Sequence, residues 1–191
     1  MLRDISLHLM DLMQNSISAN ANKLEVLIET IPKEDLLIIS LKDNGVGMSP
    51  EFLENVIDPF TTSRKTRKVG MGIPFFKMAC EIAEGKIHLQ SIQGVGTTLD
   101  GTFKISSIDR LSLGDIGDTF FITILGNSSI EYNLILKNME KQYIFNSKQI
   151  EEELDGIPII DYEILQWIKD SINENVINIF GGVLNEIISW T

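Results

Sequence analysis

Leu36-Leu37-Ile38-Ile39-Ser40-Leu41-Lys42-Asp43-Asn44-Gly45-Val46-Gly47-Met48 is the stretch that decides the fold. Its first six residues are nearly all apolar, the mark of a strand buried at the centre of a sheet. The strand stops at Asp43. An aspartate at the end of a buried strand is placed to face a pocket. Its carboxylate can accept the exocyclic amine of adenine, where guanine carries an oxygen acceptor instead. Gly45 and Gly47 permit a sharp turn and let a ligand lie against the backbone. Asp43-Asn44-Gly45 also reads as an ordinary turn between two elements.

Working outward, residues 3–20 predict a helix. Leu2, Ile5, Leu9, Leu12, Met13 and Ile17 recur at helical spacing, and His8, Asp11, Asn15 and Ser18 share another, polar face. A strand over 23–30 precedes the central one. Ser49-Pro50-Glu51 starts a helix with an N-cap oxygen, a proline at the first position and an acid in the first turn. That helix should run to Ile57. Residues 58–72 are irregular and basic. A helix follows over 73–84, stopped by Gly85, then strands over 86–92 and 97–106. The order is helix, strand, strand, helix, loop, helix, strand, strand, which predicts a layered α/β sandwich. Beyond residue 110, Phe120–Leu125 and Ile130–Lys137 read as a hairpin around Gly126-Asn127-Ser128-Ser129. Helices are expected over 147–155, 161–173 and 176–189. The isoleucines of that part, from Ile150 to Ile172, read as core.

Composition narrows the function. The chain has 191 residues and a formal net charge of −11. That charge repels phosphate backbones and argues against nucleic-acid binding. No apolar run reaches membrane-spanning length. The first residues, Met1-Leu2-Arg3-Asp4, lack the basic-then-apolar layout of a signal peptide, so the expected location is the cytoplasm. The single cysteine, Cys80, excludes an internal disulfide and reads as a buried thiol.

Three further groups carry chemistry. Gly70-Met71-Gly72-Ile73-Pro74 stands just before a helix, where exposed N–H groups and the helix dipole favour a phosphate. It is neither a P-loop nor a dinucleotide fingerprint. Asn15 offers a neutral oxygen to a hard cation such as Mg2+, which takes few protein ligands besides substrate phosphates. Asp11, one turn earlier, can orient or deprotonate a water or hydroxyl near a γ-phosphate. Arg64, Lys65, Arg67 and Lys68 concentrate positive charge in an acidic chain.

Together these motifs have a family likeness. An Asn-bearing helix, D-x-G-x-G, P-F before a basic loop, G-x-G before a helix and G-x-G-T follow one another within residues 8–100. In this the chain resembles the Bergerat-type ATPases, the superfamily of gyrase, the heat-shock chaperone ATPase, histidine kinases and mismatch-repair ATPases. The resemblance implies a Bergerat ATP-binding fold, a two-layer α/β sandwich whose mixed sheet has helices on one face. This histidine kinase-like domain would occupy residues 1–109, with 110–191 a small α+β C-terminal extension. It implies ATP and Mg2+ as ligands. Carried over, Asn15 would bind magnesium, Asp43 would read the adenine amine, and Gly45 and Gly47 would form the first glycine box. Phe60 would be the F box, and Gly70 and Gly72 the second glycine box. Thr97 would support the adenine-reading aspartate, and Arg64 and Lys65 would contact phosphate. Asp11 stands where mismatch-repair relatives usually carry a glutamate as general base.

His8 and His88 are followed by leucines, without the acidic residue expected after a phosphoacceptor. His88 reads as a structural strand residue, and His8 as a hydrogen-bonding neighbour of Asp11. The expectation is therefore a kinase-like ATPase without a phosphoacceptor domain of its own. It would act on a protein in trans or hydrolyse ATP slowly. The alternative is a non-catalytic, ATP-controlled interaction switch whose partner binds residues 110–191.

Overall fold

The computed structural model describes residues 2–56, 71–182 and 184. Helix α1 spans Ile5–Ser18. Asp4 caps it, its Oδ1 accepting from the Leu7 N–H at 3.0 Å and the Ser6 hydroxyl at 2.7 Å. Strands β1 (Lys23–Ile31) and β2 (Leu36–Asp43) follow, joined by a short 3-10 turn at Pro32–Glu34. Then come helices α2 (Pro50–Val56) and α3 (Gly72–Ile82), and strands β3 (Ile87–Ile92) and β4 (Gly96–Lys104). The remaining elements are α4 (Ile116–Gly126), β5 (Glu131–Lys137), β6 (Gln142–Asn146), α5 (Ser147–Glu153) and α6 (Tyr162–Phe180).

Six strands make one sheet in the order β3-β4-β2-β1-β5-β6. Neighbours run antiparallel except β1 and β5, which are parallel, so the sheet is mixed. Alternation along each strand sends one set of side chains to each face. Val26 lies opposite Leu41 and Leu134, and Ile28 opposite Ile39 and Leu136. These residues are buried, and Ile5, Leu9, Phe76, Phe120 and Ile168 of the covering helices join them in one core. The other face turns Glu25, Lys42 and Asn133 outward. No helix among the described residues is long and apolar enough to cross a membrane.

Four expectations about the second half need correction. The isoleucines read as core divide: Ile159, Ile168 and Ile172 are buried, but Ile157 and Ile160 are exposed. Residues 120–125 do not form the first arm of a hairpin; they lie in α4. The arm that pairs with β5 is β6, which the sequence pattern did not reveal. The helices expected over 161–173 and 176–189 are one continuous helix, α6, through Phe180. Ile168, Ile172 and Val176 recur at four-residue spacing along its buried side and carry the pattern across the expected break.

Candidate functional site

Where β2 leaves the core, a cleft of about 530 Å3 opens between α1, α2, α3 and strands β2, β3 and β4. Its volume suits a small organic ligand. Leu12, Leu41, Val46, Met48, Leu89 and Leu99 make the walls apolar, and Asn15, Ser16, Asp43 and Thr97 supply the polar groups.

Asp43 continues the core-facing series Leu37, Ile39, Leu41, which sends its carboxylate into the cleft. Both oxygens are held. Oδ1 accepts the Gly45 N–H at 2.8 Å, and Oδ2 accepts the Ser16 hydroxyl at 2.8 Å. Thr97 lies opposite Asp43 in the β2–β4 register. Its hydroxyl shares a 2.9 Å hydrogen bond with Ser91, whose Oγ accepts the Met48 N–H at 2.8 Å. Asn44 faces elsewhere: its Oδ1 accepts the N–H groups of Asn22 and Lys23 at 3.0 Å each and ties the loop to the start of β1. The turn and the pocket are thus built by neighbouring residues of one motif.

The loop needs Gly47 for a definite reason. Its φ is +64°, and a Cβ there would collide with the Ile92 carbonyl. Val46 is pinned on both sides, its N–H to the Ala19 carbonyl at 2.8 Å and its carbonyl to the Gly94 N–H at 2.7 Å.

Asp11 and Asn15, one turn apart on α1, both reach the N-terminus of α3. A Cβ on Gly72 would stand 2.5 Å from Asp11 Oδ2 and 3.1 Å from Asn15 Nδ2. A carboxylate and a side-chain amide therefore meet the positive end of an eleven-residue helix. Among the described residues no three His, Cys, Asp or Glu side chains gather as a metal cage. A lone amide oxygen beside a carboxylate fits a cation that keeps waters and shares a ligand's phosphates.

The polar-face reading of His8 is corrected. It is 1% exposed, packed 6.1 Å from the Phe76 ring, and neither ring nitrogen has a hydrogen-bond partner among the described residues. Burial pushes its pKa below the ordinary imidazole value, against the pull of Asp11 and Asp4. Cys80 is fully buried as expected, and burial pushes its thiol up to about 12, which leaves it inert. His88 is an exposed residue of β3.

Sequence reasoning did not assign Ser16 or Ser91. Each breaks an apolar series on a core-facing stripe, Leu9, Leu12, Met13, Ser16 on α1 and Ile87, Leu89, Ser91 on β3. A polar residue on a buried stripe needs a partner, and that is the signal which identifies them. Phe60, Arg64, Lys65 and Gly70 lie outside the described residues.

Residues 3–107, more than half of the chain, match the family described as histidine kinase-, DNA gyrase B- and HSP90-like ATPase. The chain belongs to this ATPase family. The family's curated sensor kinases include relatives of modest similarity. The autoinducer sensor kinase/phosphatase CqsS of Vibrio cholerae is 32% identical over 47% of this chain and 13% of its own length. The sensor histidine kinase WalK of Bacillus subtilis is 36% identical over 39% of this chain and 13% of its own length. The chain thus matches only a small part of these relatives. Among solved structures, the Aquifex aeolicus MutL ATPase domain complexed with ADP superposes with a TM-score of 0.51 at 18% identity. That match covers 81% of this chain and 68% of the MutL domain, and it shows the shared fold. The family's ATP-binding domain and its α/β sandwich are therefore what the chain forms, with β5, β6 and α6 continuing beyond the matched residues.

Proposed function

We propose that the cleft binds ATP with magnesium and that the chain transfers the γ-phosphoryl group to a protein in trans, with slow hydrolysis when no acceptor is present. The observation that carries this reading is Asp43, a carboxylate held at both oxygens and aimed into a cleft with mostly apolar walls. There it accepts the adenine amine, while guanine would set a carbonyl oxygen against it. Thr97, opposite on β4, supports the same edge of the base.

The phosphates extend toward the N-terminus of α3. Gly72 leaves room there, and the helix dipole favours anions. Asn15 would hold the magnesium ion, which when bound neutralises the phosphate charge that develops during transfer. Asp11 accepts the proton of the attacking hydroxyl or water. Gly70, Phe60 and the basic residues Arg64 and Lys65 complete this assignment from the sequence. A cytoplasmic location, where ATP is supplied, accompanies it.

Calorimetric titration tests the reading directly. The wild-type chain should bind ATP in millimolar magnesium and should not bind GTP. Asp43→Ala should abolish the ATP signal without loss of fold. An Asp43→Ala chain that keeps its affinity would place adenine elsewhere. Phosphate release, with and without added protein acceptors, then separates an enzyme from a switch that binds and holds.

A further inference from the structure

Away from the nucleotide cleft, α6 presents a second surface that the ATPase reading leaves unused. A groove of about 460 Å3 runs along its exposed side, lined by Tyr162, Glu163, Gln166, Trp167, Asp170 and Glu174. Tyr162 is 70% exposed and Trp167 57%. Single exposed apolar residues are ordinary, but two large aromatics lining one groove form a patch of the kind that marks contact surfaces. Tyr162 does not hang free. Phe121 of α4 meets its ring edge-on at 6.1 Å and fixes its position. Ile157 and Ile160, in the segment just before α6, are exposed as well.

The charge around the groove has one sign. Residues 110–191 carry 13 acidic against five basic residues, eight of the chain's eleven net negative charges. Between positions 151 and 174 there are eight acidic residues and one lysine. That lysine, Lys169, is already paired with Asp118 at 2.6 Å. Glu163, Asp170 and Glu174 have no ion-pair partner among the described residues.

We propose that this groove docks a basic, amphipathic segment of a partner protein. Charge complementarity decides the occupant. A second copy of this chain would bring the same excess of acid, and phosphate-bearing surfaces would be repelled. No three acidic, histidine or cysteine side chains among the described residues converge on a metal. Arginine suits the site best. Its planar guanidinium stacks on Trp and Tyr rings and forms paired hydrogen bonds with carboxylates. Aliphatic side chains of the same segment cover Ile157 and Ile160. Trp, Tyr and Arg are also the residues that dominate binding energy at interfaces. The surface is separate from the cleft, so the proposal stands independently of the nucleotide assignment.

The test uses the full chain and a labelled synthetic peptide rich in arginine and leucine at helical spacing, followed by fluorescence anisotropy. Binding should saturate and weaken as salt rises. Trp167→Ala should weaken it about tenfold, as should the triple change Glu163→Gln, Asp170→Asn, Glu174→Gln. A second triple, Glu151→Gln, Glu152→Gln, Glu153→Gln, removes the same charge from α5 and should leave affinity nearly unchanged. A peptide with glutamate for arginine should not bind. Equal weakening by the two triples would reduce the effect to net charge and overturn the site. So would absence of saturable binding, an unaffected Trp167→Ala chain, or concentration-dependent self-association that the groove triple abolishes.

Discussion

At the scale of single residues, the cleft depends on how firmly Asp43 is held. A carboxylate free to rotate would present the oxygen proposed to accept the adenine amine only part of the time. Here Ser16 fixes Oδ2 from α1 while Gly45 fixes Oδ1 from the loop. A hydrogen bond to a charged group contributes about 1.5–3 kcal/mol to the fold. Ser16→Ala should therefore lower stability measurably in chemical denaturation, and the loosened carboxylate should weaken ATP binding about tenfold by calorimetry; unchanged affinity would mean that Gly45 alone positions the carboxylate. His8 makes the opposite case, a buried polar ring without a hydrogen-bond partner among the described residues. Its pKa is lowered in the folded chain relative to the ordinary value of 6.5. Above that value both folded and unfolded chains carry a neutral ring. As pH falls below it, the unfolded chain takes up a proton that the folded chain refuses, and stability drops. Denaturant titrations at about pH 8 and about pH 5.5 should show this loss, and His8→Phe should reduce it. If the variant loses as much stability on acidification as wild type, the cost lies with other groups.

At the scale of elements, α4 shows where local pattern and tertiary context part. Phe120-Phe121-Ile122-Thr123-Ile124-Leu125 is rich in aromatic and β-branched residues, and that composition favours a strand. Burial on more than one side explains the helix instead. Ile116, Phe120 and Ile124 fill the core at helical spacing, and the buried Thr123 hydroxyl is satisfied by the Thr119 carbonyl at 2.6 Å. Because contact with α1 and α6 decides the outcome, no local window of sequence carries it. The first hundred residues were legible for the converse reason. β1 alternates in burial, β2 is a nearly continuous apolar run, Ser49-Pro50-Glu51 marks the start of α2, and the D-x-G-x-G loop ends a strand whose burial is written in its own residues. Ser16 was hidden because its partner Asp43 stands 27 positions away, and Ser91 because it joins the nearby Thr97 to Met48, 43 positions back. The cap of α4 can be tested. Asp115 Oδ1 accepts the Asp118 N–H at 2.7 Å and an amide N–H of Asn173, from α6, at 2.8 Å. Asn173 returns an acceptor to the Gly117 N–H at 2.9 Å. Asp115→Ala removes both the cap and this tie between helices, so it should cost about 1–2 kcal/mol in chemical denaturation. A cost near zero would show that α4 is held by its apolar contacts alone.

At the scale of the whole molecule, the family match ends at residue 107 but the sheet does not. β5 lies beside β1 in parallel register, Leu24 opposite Tyr132 and Ile28 opposite Leu136. Removing it would leave β1 as a long, apolar edge. The core crosses the same line. Phe120 packs edge-on against Tyr132 and Phe145, at 6.4 and 5.9 Å, in the core that also holds Ile5 and Leu9 of α1. Ser112 and Leu113 accept the N–H groups of Ile5 and Ser6 at 3.0 and 2.8 Å, so α1 is tied at its start by the later segment. A shared core and a shared sheet predict one cooperative transition. Both tryptophans, Trp167 and Trp190, lie in the later segment, so their fluorescence reports on it alone, while far-ultraviolet circular dichroism follows the whole chain. The two melting curves should coincide. Saturating Mg-ATP, bound through β2 and α1, should raise the tryptophan-detected midpoint as much as the overall one. A chain ending at residue 109 should lose cooperative melting. Two separate transitions, with ATP shifting only one, would instead make residues 1–109 an independent nucleotide domain carrying a docked extension.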